Sequence, residues 1–132
     1  MNNKTTKEVM KTKTQPTNED IGTTIEIKFK LSRENYHSII EMAGYGVGYW
    51  ASFMSSEDNG CHFTEDETQK KFFITPKMVE KAVAELYTKR SLNSYYMDAI
   101  DMLVNQGCSG DCGSDISDAI IQQACFQEVI YG

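Results

Sequence analysis

Residues 43–51, AGYGVGYWA, place three glycines, two tyrosines and the chain's only tryptophan in nine positions. Glycine costs roughly 1 kcal/mol against alanine in a helix interior, so glycines set among large aromatics answer a need for close backbone approach or unusual dihedrals. Two geometries are open. If a helix runs through, Gly44, Gly48 and Ala51 form a smooth face, and Tyr45, Tyr49 and Phe53 form a ridge at helical spacing. If it breaks, the glycines make a turn whose N–H groups could face an anion. The aromatic spacing and the lack of Pro, Asn or Asp favour the continuous helix, packed against the C-terminal helix. Gly44, Gly46, Gly48 and Trp50 are then structural, and Gly48→Leu should loosen the protein.

The flanking chain supplies an α+β pattern. Residues 23–31 alternate apolar and polar with period two, predicting a strand with Ile25, Ile27, Phe29 and Leu31 inward. Ser32 suits an N-cap for the helix carrying Tyr36, Ile39, Ile40 and Ala43. Residues 55–60 end in Asn-Gly and predict a turn. Cys61-His62-Phe63 and residues 71–74 predict a hairpin around a polar loop. Thr75-Pro76 marks a helix start with Pro76 at N1, followed by the stripe Val79, Ala82, Val83 and Leu86. Leu92, Tyr95, Tyr96, Ala99, Ile100, Leu103 and Val104 share a face of the next helix, which ends at Gly107. Ser114 or Asp115 caps a last helix over about 116–129, apolar except for an edge at Gln122 and Gln123. The expected fold is a small antiparallel sheet of about three strands packed against four helices, with the glycine and C-terminal helices central. Residues 1–20, polar and rich in Lys, Thr and Asn, are expected to be a disordered tail, and 21–132 one α+β domain.

The formal charge of −6 argues against bare nucleic acid or an anionic membrane as a direct partner, because both are bound through clustered Lys and Arg. The polar N-terminus resembles no secretory leader and no apolar run reaches membrane-span length, so a cytoplasmic protein with reduced thiols is expected. Cys61, His62, Cys108 and Cys112 offer zinc-ligand types at loose spacing, but thiols without a metal are the plainer reading, and Cys125 reads as core. Gly44-x-Gly46-x-Gly48 lacks the preceding strand of a dinucleotide site and the Gly-Lys-Ser/Thr of a phosphate loop. No hydrolytic motif surrounds His37 or His62. Neither a cofactor nor an enzymatic activity is expected. Candidate binding residues are Tyr45, Tyr49 and Tyr95, with the carboxylates Glu65, Asp66 and Glu67, since tyrosines anchor interfaces. Trp50 and Phe72 are expected inside. The other acidic residues read as solvated, the sharper alternative being a phosphate-mimicking surface.

Residues 46–51, GVGYWA, the Ile-Thr-Pro start of the next helix, and the closing residues 118–132, DAIIQQACFQEVIYG, together resemble a family of small bacteriophage and mobile-element proteins. Its members carry a GGIGYW-like stretch and end near D-x-I-V-Q-x-A-L-F-G-E-I-V-Y-G. The resemblance spans about residues 35–132, with Cys125 and Gln127 departing from its Leu and Gly. It implies an origin and no particular reaction. The role it suggests is stoichiometric binding to a host protein in the host cytoplasm, such as a nucleic-acid-binding defence complex inhibited as anti-CRISPR proteins inhibit theirs. The alternatives are a small-molecule or nucleotide-signal binder using Tyr45, Tyr49 and Trp50, and a zinc-binding interaction module. A homo-dimer through the glycine face is a further expectation.

Overall fold

The computed structural model describes residues 28–57, 59–107 and 112–132, apart from the side chains at positions 54 and 55. The chain divides after Lys30, and residues 31–132 form one compact unit. The expected tail and positions 23–27 of the expected first strand lie outside the described residues, and residues 28–32 form no regular element. In order the elements are α1 (Arg33–Gly46), β1 (Ala51–Glu57), β2 (Gly60–Glu65), β3 (Lys71–Ile74), α2 (Pro76–Lys89), α3 (Ser94–Gln106) and α4 (Ser114–Phe126). A small α+β fold with four helices and an antiparallel sheet is thus present among the described residues.

The glycine stretch is where the structure departs most from the sequence reading. α1 stops at Gly46, Val47 caps it in the right-handed region, and the backbone turns through residues 48–50 into β1. The amides of Trp50 and Ala51 both donate to the Val47 carbonyl, at 2.9 Å each. Continuing the helix through Gly48 would add a third glycine at roughly 1 kcal/mol, whereas the turn buries Trp50 and frees residues 51–57 to pair with β2. The expected small-residue face does not form. A β-carbon on Gly44 or Gly48 would meet nothing within 4 Å, whereas one on Gly46 would lie 2.1 Å from the Ser114 carbonyl oxygen. Gly46, not Gly48, lets the end of α1 approach the start of α4, so the expected packing of α1 on α4 holds through a different glycine.

β2 is the central strand, paired antiparallel to β1 and β3. Its alternation sends Cys61, Phe63 and Glu65 to one face, where all three are buried. His62 goes to the other, its ring 4.7 Å from that of Phe73. β1 extends through the expected turn to Glu57, with an irregularity between Phe53 and Ser55, as edge strands often carry. Phe53 and Phe72 flank Phe63 in the ladder, and Phe72 meets Phe126 of α4 edge to face at 5.3 Å.

The helices follow their local signals with some shifts. The Ser32 and Thr75 hydroxyls accept from the Asn35 and Met78 amides, and Pro76 opens α2. Val79, Ala82, Val83 and Leu86 are buried as expected. α3 starts after Asn93, its inward residues are Met97, Ala99, Ile100 and Leu103, and Tyr95 stays outside. α4 is capped by Gly113 without a side-chain bond, in place of Ser114 or Asp115, and ends at Phe126 with Gln127 in the left-handed region. The expected polar edge of α4 is as buried as its apolar residues, with Gln122 and Gln123 0 and 2 % exposed.

Gly46→Ala is expected to lose about 2 kcal/mol in urea unfolding, the range for forcing atoms into a packed contact. Gly48→Ala should stay within about 0.5 kcal/mol of the parent protein. The reverse ranking would contradict the close approach at Ser114.

Candidate functional site

α4 is buried on most sides and carries Asp118 and Gln122, two polar side chains one helical turn apart and therefore on one face. Burying a carboxylate is costly unless hydrogen bonds replace its water. Asp118 is 7 % exposed and receives three: Trp50 Nε1 donates to Oδ1 at 2.7 Å, the Tyr49 hydroxyl to Oδ2 at 2.7 Å, and Gln122 Nε2 to Oδ1 at 3.0 Å. The turn after α1 is thereby fastened to α4.

Gln122 uses its other atoms on the segment that follows the helix. Its Oε1 accepts from the amides of Ile130 and Tyr131 at 2.8 and 2.7 Å, and its Nε2 also reaches the Tyr131 carbonyl at 3.3 Å. The Tyr131 ring stacks on Trp50 at 5.2 Å with 9° between planes, and Phe126 closes the cluster at 5.4 Å from the indole. The Tyr131 hydroxyl donates to the Glu65 carboxylate, which also accepts from the Thr68 hydroxyl at 2.6 Å. One polar chain therefore joins turn, helix, closing segment and sheet.

Two phenols and one carboxylate in this network are shifted away from neutrality. Burial and then the Asp118 carboxylate push the Tyr49 phenol up to about 12. The Glu65 hydrogen bond, foremost, pushes Tyr131 up to about 12, and the bonds from Thr68 and Tyr131 hold Glu65 below the usual carboxylate range. Acid–base catalysis needs groups brought toward neutral pH, and these move away from it. Beneath α1, Tyr36 and Cys61 lie together on the core side, where burial pushes the phenol to about 12 and the thiol to about 11. Burial likewise pushes the Cys125 thiol to about 12.

Of the candidate residues, Tyr45, Tyr49 and Tyr95 present their rings at 77, 57 and 61 % exposure. Gly46 against Ser114 brings the last turn of α1 to the first turn of α4, and the charges of Asp115 and Asp118 reach the Tyr96 phenol on α3. The three tyrosines thus belong to elements that converge on one end of α4. Glu65 is not a surface residue: it is 7 % exposed and committed to Tyr131 and Thr68. Asp66 and Glu67 are exposed on the turn after β2, Asp66 accepting from the Ser52 hydroxyl at 3.0 Å. The expectation that carboxylates stay solvated therefore fails at Glu65 and Asp118. Trp50 is buried and Phe72 half-buried.

Among the described residues no group of three His, Cys, Asp or Glu is placed to hold a metal ion. Cys61 and His62 point to opposite faces of β2, and Cys108 lies outside the described residues. A cleft between α2 and α4, lined by Met78, Lys81, Glu85 and Gln123 among others, holds about 140 Å³, below the roughly 300 Å³ at which ligand sites begin. Among the described residues no helix is long and apolar enough to cross a membrane.

Asp118, Gln122, Tyr96 and Tyr131 were not among the candidate residues. The signal for the first two is the i, i+4 pair of polar residues on a helix buried on most sides. Compared with known protein families, with characterised proteins and with solved structures, the chain matches none. The functional reading rests on its own residues.

Gln122→Leu is expected to cost about 2 kcal/mol or more, because the Ile130 and Tyr131 amides lose their acceptor. Urea unfolding measures it, and a change under about 0.5 kcal/mol would contradict the bonding described. A tyrosine whose pKa is raised on folding stabilises fully below its unfolded value near 10, and that contribution is lost as pH rises through about 12. Stability should therefore fall between pH 10 and 12, and Tyr131→Phe should shallow the fall. An unchanged slope in that variant would contradict the Tyr131–Glu65 bond.

Proposed function

We propose that this protein is a non-enzymatic binding protein, acting stoichiometrically on a partner protein through the surface where the end of α1 and the starts of α3 and α4 converge. The observation that carries this reading is the exposure of Tyr45, Tyr49 and Tyr95, at 77, 57 and 61 %, on these elements and the turn after α1. Tyrosine is among the residues that dominate interface energetics. Tyr49 is also pre-set: its hydroxyl is held by Asp118 at 2.7 Å while its ring faces out. A ring already held loses little rotamer freedom on docking, so more of its burial appears as affinity.

The resemblance of residues 46–51 and 118–132 to small phage and mobile-element proteins supports a host protein as the partner. The acidic balance of the chain supports one that itself binds nucleic acid, such as a defence complex blocked by occupation of its surface.

Affinity capture from bacterial host lysate, with the parent protein and a Tyr45→Ala/Tyr95→Ala variant of matched thermal stability, tests this reading. The expected result is a recurrent partner at fixed stoichiometry, depleted about tenfold or more with the variant, as befits loss of two anchors. No recurrent partner, or equal capture by both proteins, would contradict it.

A further inference from the structure

We propose that Tyr49, Tyr95, Tyr96 and Asp115 form a receptor for an arginine side chain of the partner protein, an inference that rests on the binding surface proposed above and specifies its chemistry. Tyr95 and Tyr96 are consecutive in the first turn of α3, with ring centroids 5.5 Å apart and planes at 86°. The edge of one ring meets the face of the other, so a cation is received on the outer, solvent-facing side of the pair, where Tyr95 is 61 % exposed. Asp115 and Asp118 are near enough to the Tyr96 phenol for their charges to raise its pKa, after burial. Tyr49, which bonds Asp118, lies near enough to Tyr96 to feel its charge. Asp118 already accepts from three donors, whereas Asp115 is exposed, its Oδ1 accepting from its neighbour's amide, Ile116 N, at 2.8 Å.

The distribution of charge argues for a basic occupant. Residues 34–69 and 91–132 carry thirteen carboxylates and not one Lys or Arg. The six cations of residues 70–90 belong to β3, α2 and the loops beside them. Arg90, the last of them, is a fork on Asp101 at 2.7 and 2.9 Å. Neither α3, α4 nor the turn after α1 brings a cation of its own to the aromatic pair, so a partner's cation meets carboxylates without a competitor from these elements. Arginine suits the site better than lysine, since its planar guanidinium stacks on a ring while its edge donates to a carboxylate.

Amide chemical shifts followed during titration with an acetylated Gly-Arg-Arg-Gly peptide test the proposal, with Gly-Lys-Lys-Gly, Gly-Gln-Gln-Gly and tetramethylammonium as comparison probes. Saturable shifts centred on residues 95, 96 and 115 are expected with the arginine peptide, weaker ones with lysine, and none with glutamine. Tyr95→Ala and Asp115→Asn should each weaken the arginine peptide about fivefold, the equivalent of one exposed cation–π or ion contact. Asp115→Asn keeps an oxygen for the Ile116 amide, so its fold, checked by thermal melting, should be retained. No saturation, equal response to the arginine peptide and tetramethylammonium, or unchanged affinity in Asp115→Asn would overturn the receptor. A failed titration beside successful partner capture would remove the arginine site and leave the binding surface standing.

Discussion

The buried carboxylate of Asp118 is the point on which the rest of this fold depends. A charge this deep is tolerable only with its hydrogen bonds intact, and its donors come from the turn after α1 and from α4 itself. Trp50 and Tyr49 can reach it only if the helix stops at Gly46 and the backbone turns. The break in α1, the position of β1 and the docking of α1 on α4 are therefore one structural decision. Gln122 extends it to residues 130 and 131, and Tyr131 carries it to Glu65 on the central strand.

That dependence explains how a small surface can be both aromatic and ordered. Tyr49 spends its hydroxyl inward and its ring outward, and Tyr95 is braced by the perpendicular ring of Tyr96. Tyr131 and Glu65 are engaged with each other in the same network, while Tyr45 and Tyr95 lie on the surface. Interior and surface meet in Tyr49, so the knot that ties α1 to α4 also fixes the position of an exposed aromatic side chain.

Much of the architecture was legible in the sequence. Thr75-Pro76 fixed the start of α2, the Val79 to Leu86 stripe fixed its inner face, and the apolar run after residue 115 marked α4 as buried. The glycine stretch was misread because Tyr45, Tyr49 and Phe53 keep helical spacing even though only Tyr45 is in the helix. Periodicity reports the spacing, but the bond from Trp50 to Asp118, 68 residues away, decides the conformation. For the same reason Gln122 and Gln123 looked like a solvated edge. Side-chain polarity alone does not reveal whether the bonding partner is water or another part of the chain. The exposed tyrosines were found from residue type, whereas the close approach of Gly46 to Ser114 required the fold.

Hydrogen exchange of the Trp50 indole and of the Ile130 and Tyr131 amides in the native protein tests the central claim most directly. If the Asp118–Gln122 knot holds the fold together, these protons should open only with global unfolding, with the same dependence on urea as the slowest core amides. Exchange of the Ile130 and Tyr131 amides at the rates of an unfolded peptide, with the core still protected, would show that the fold stands without the knot.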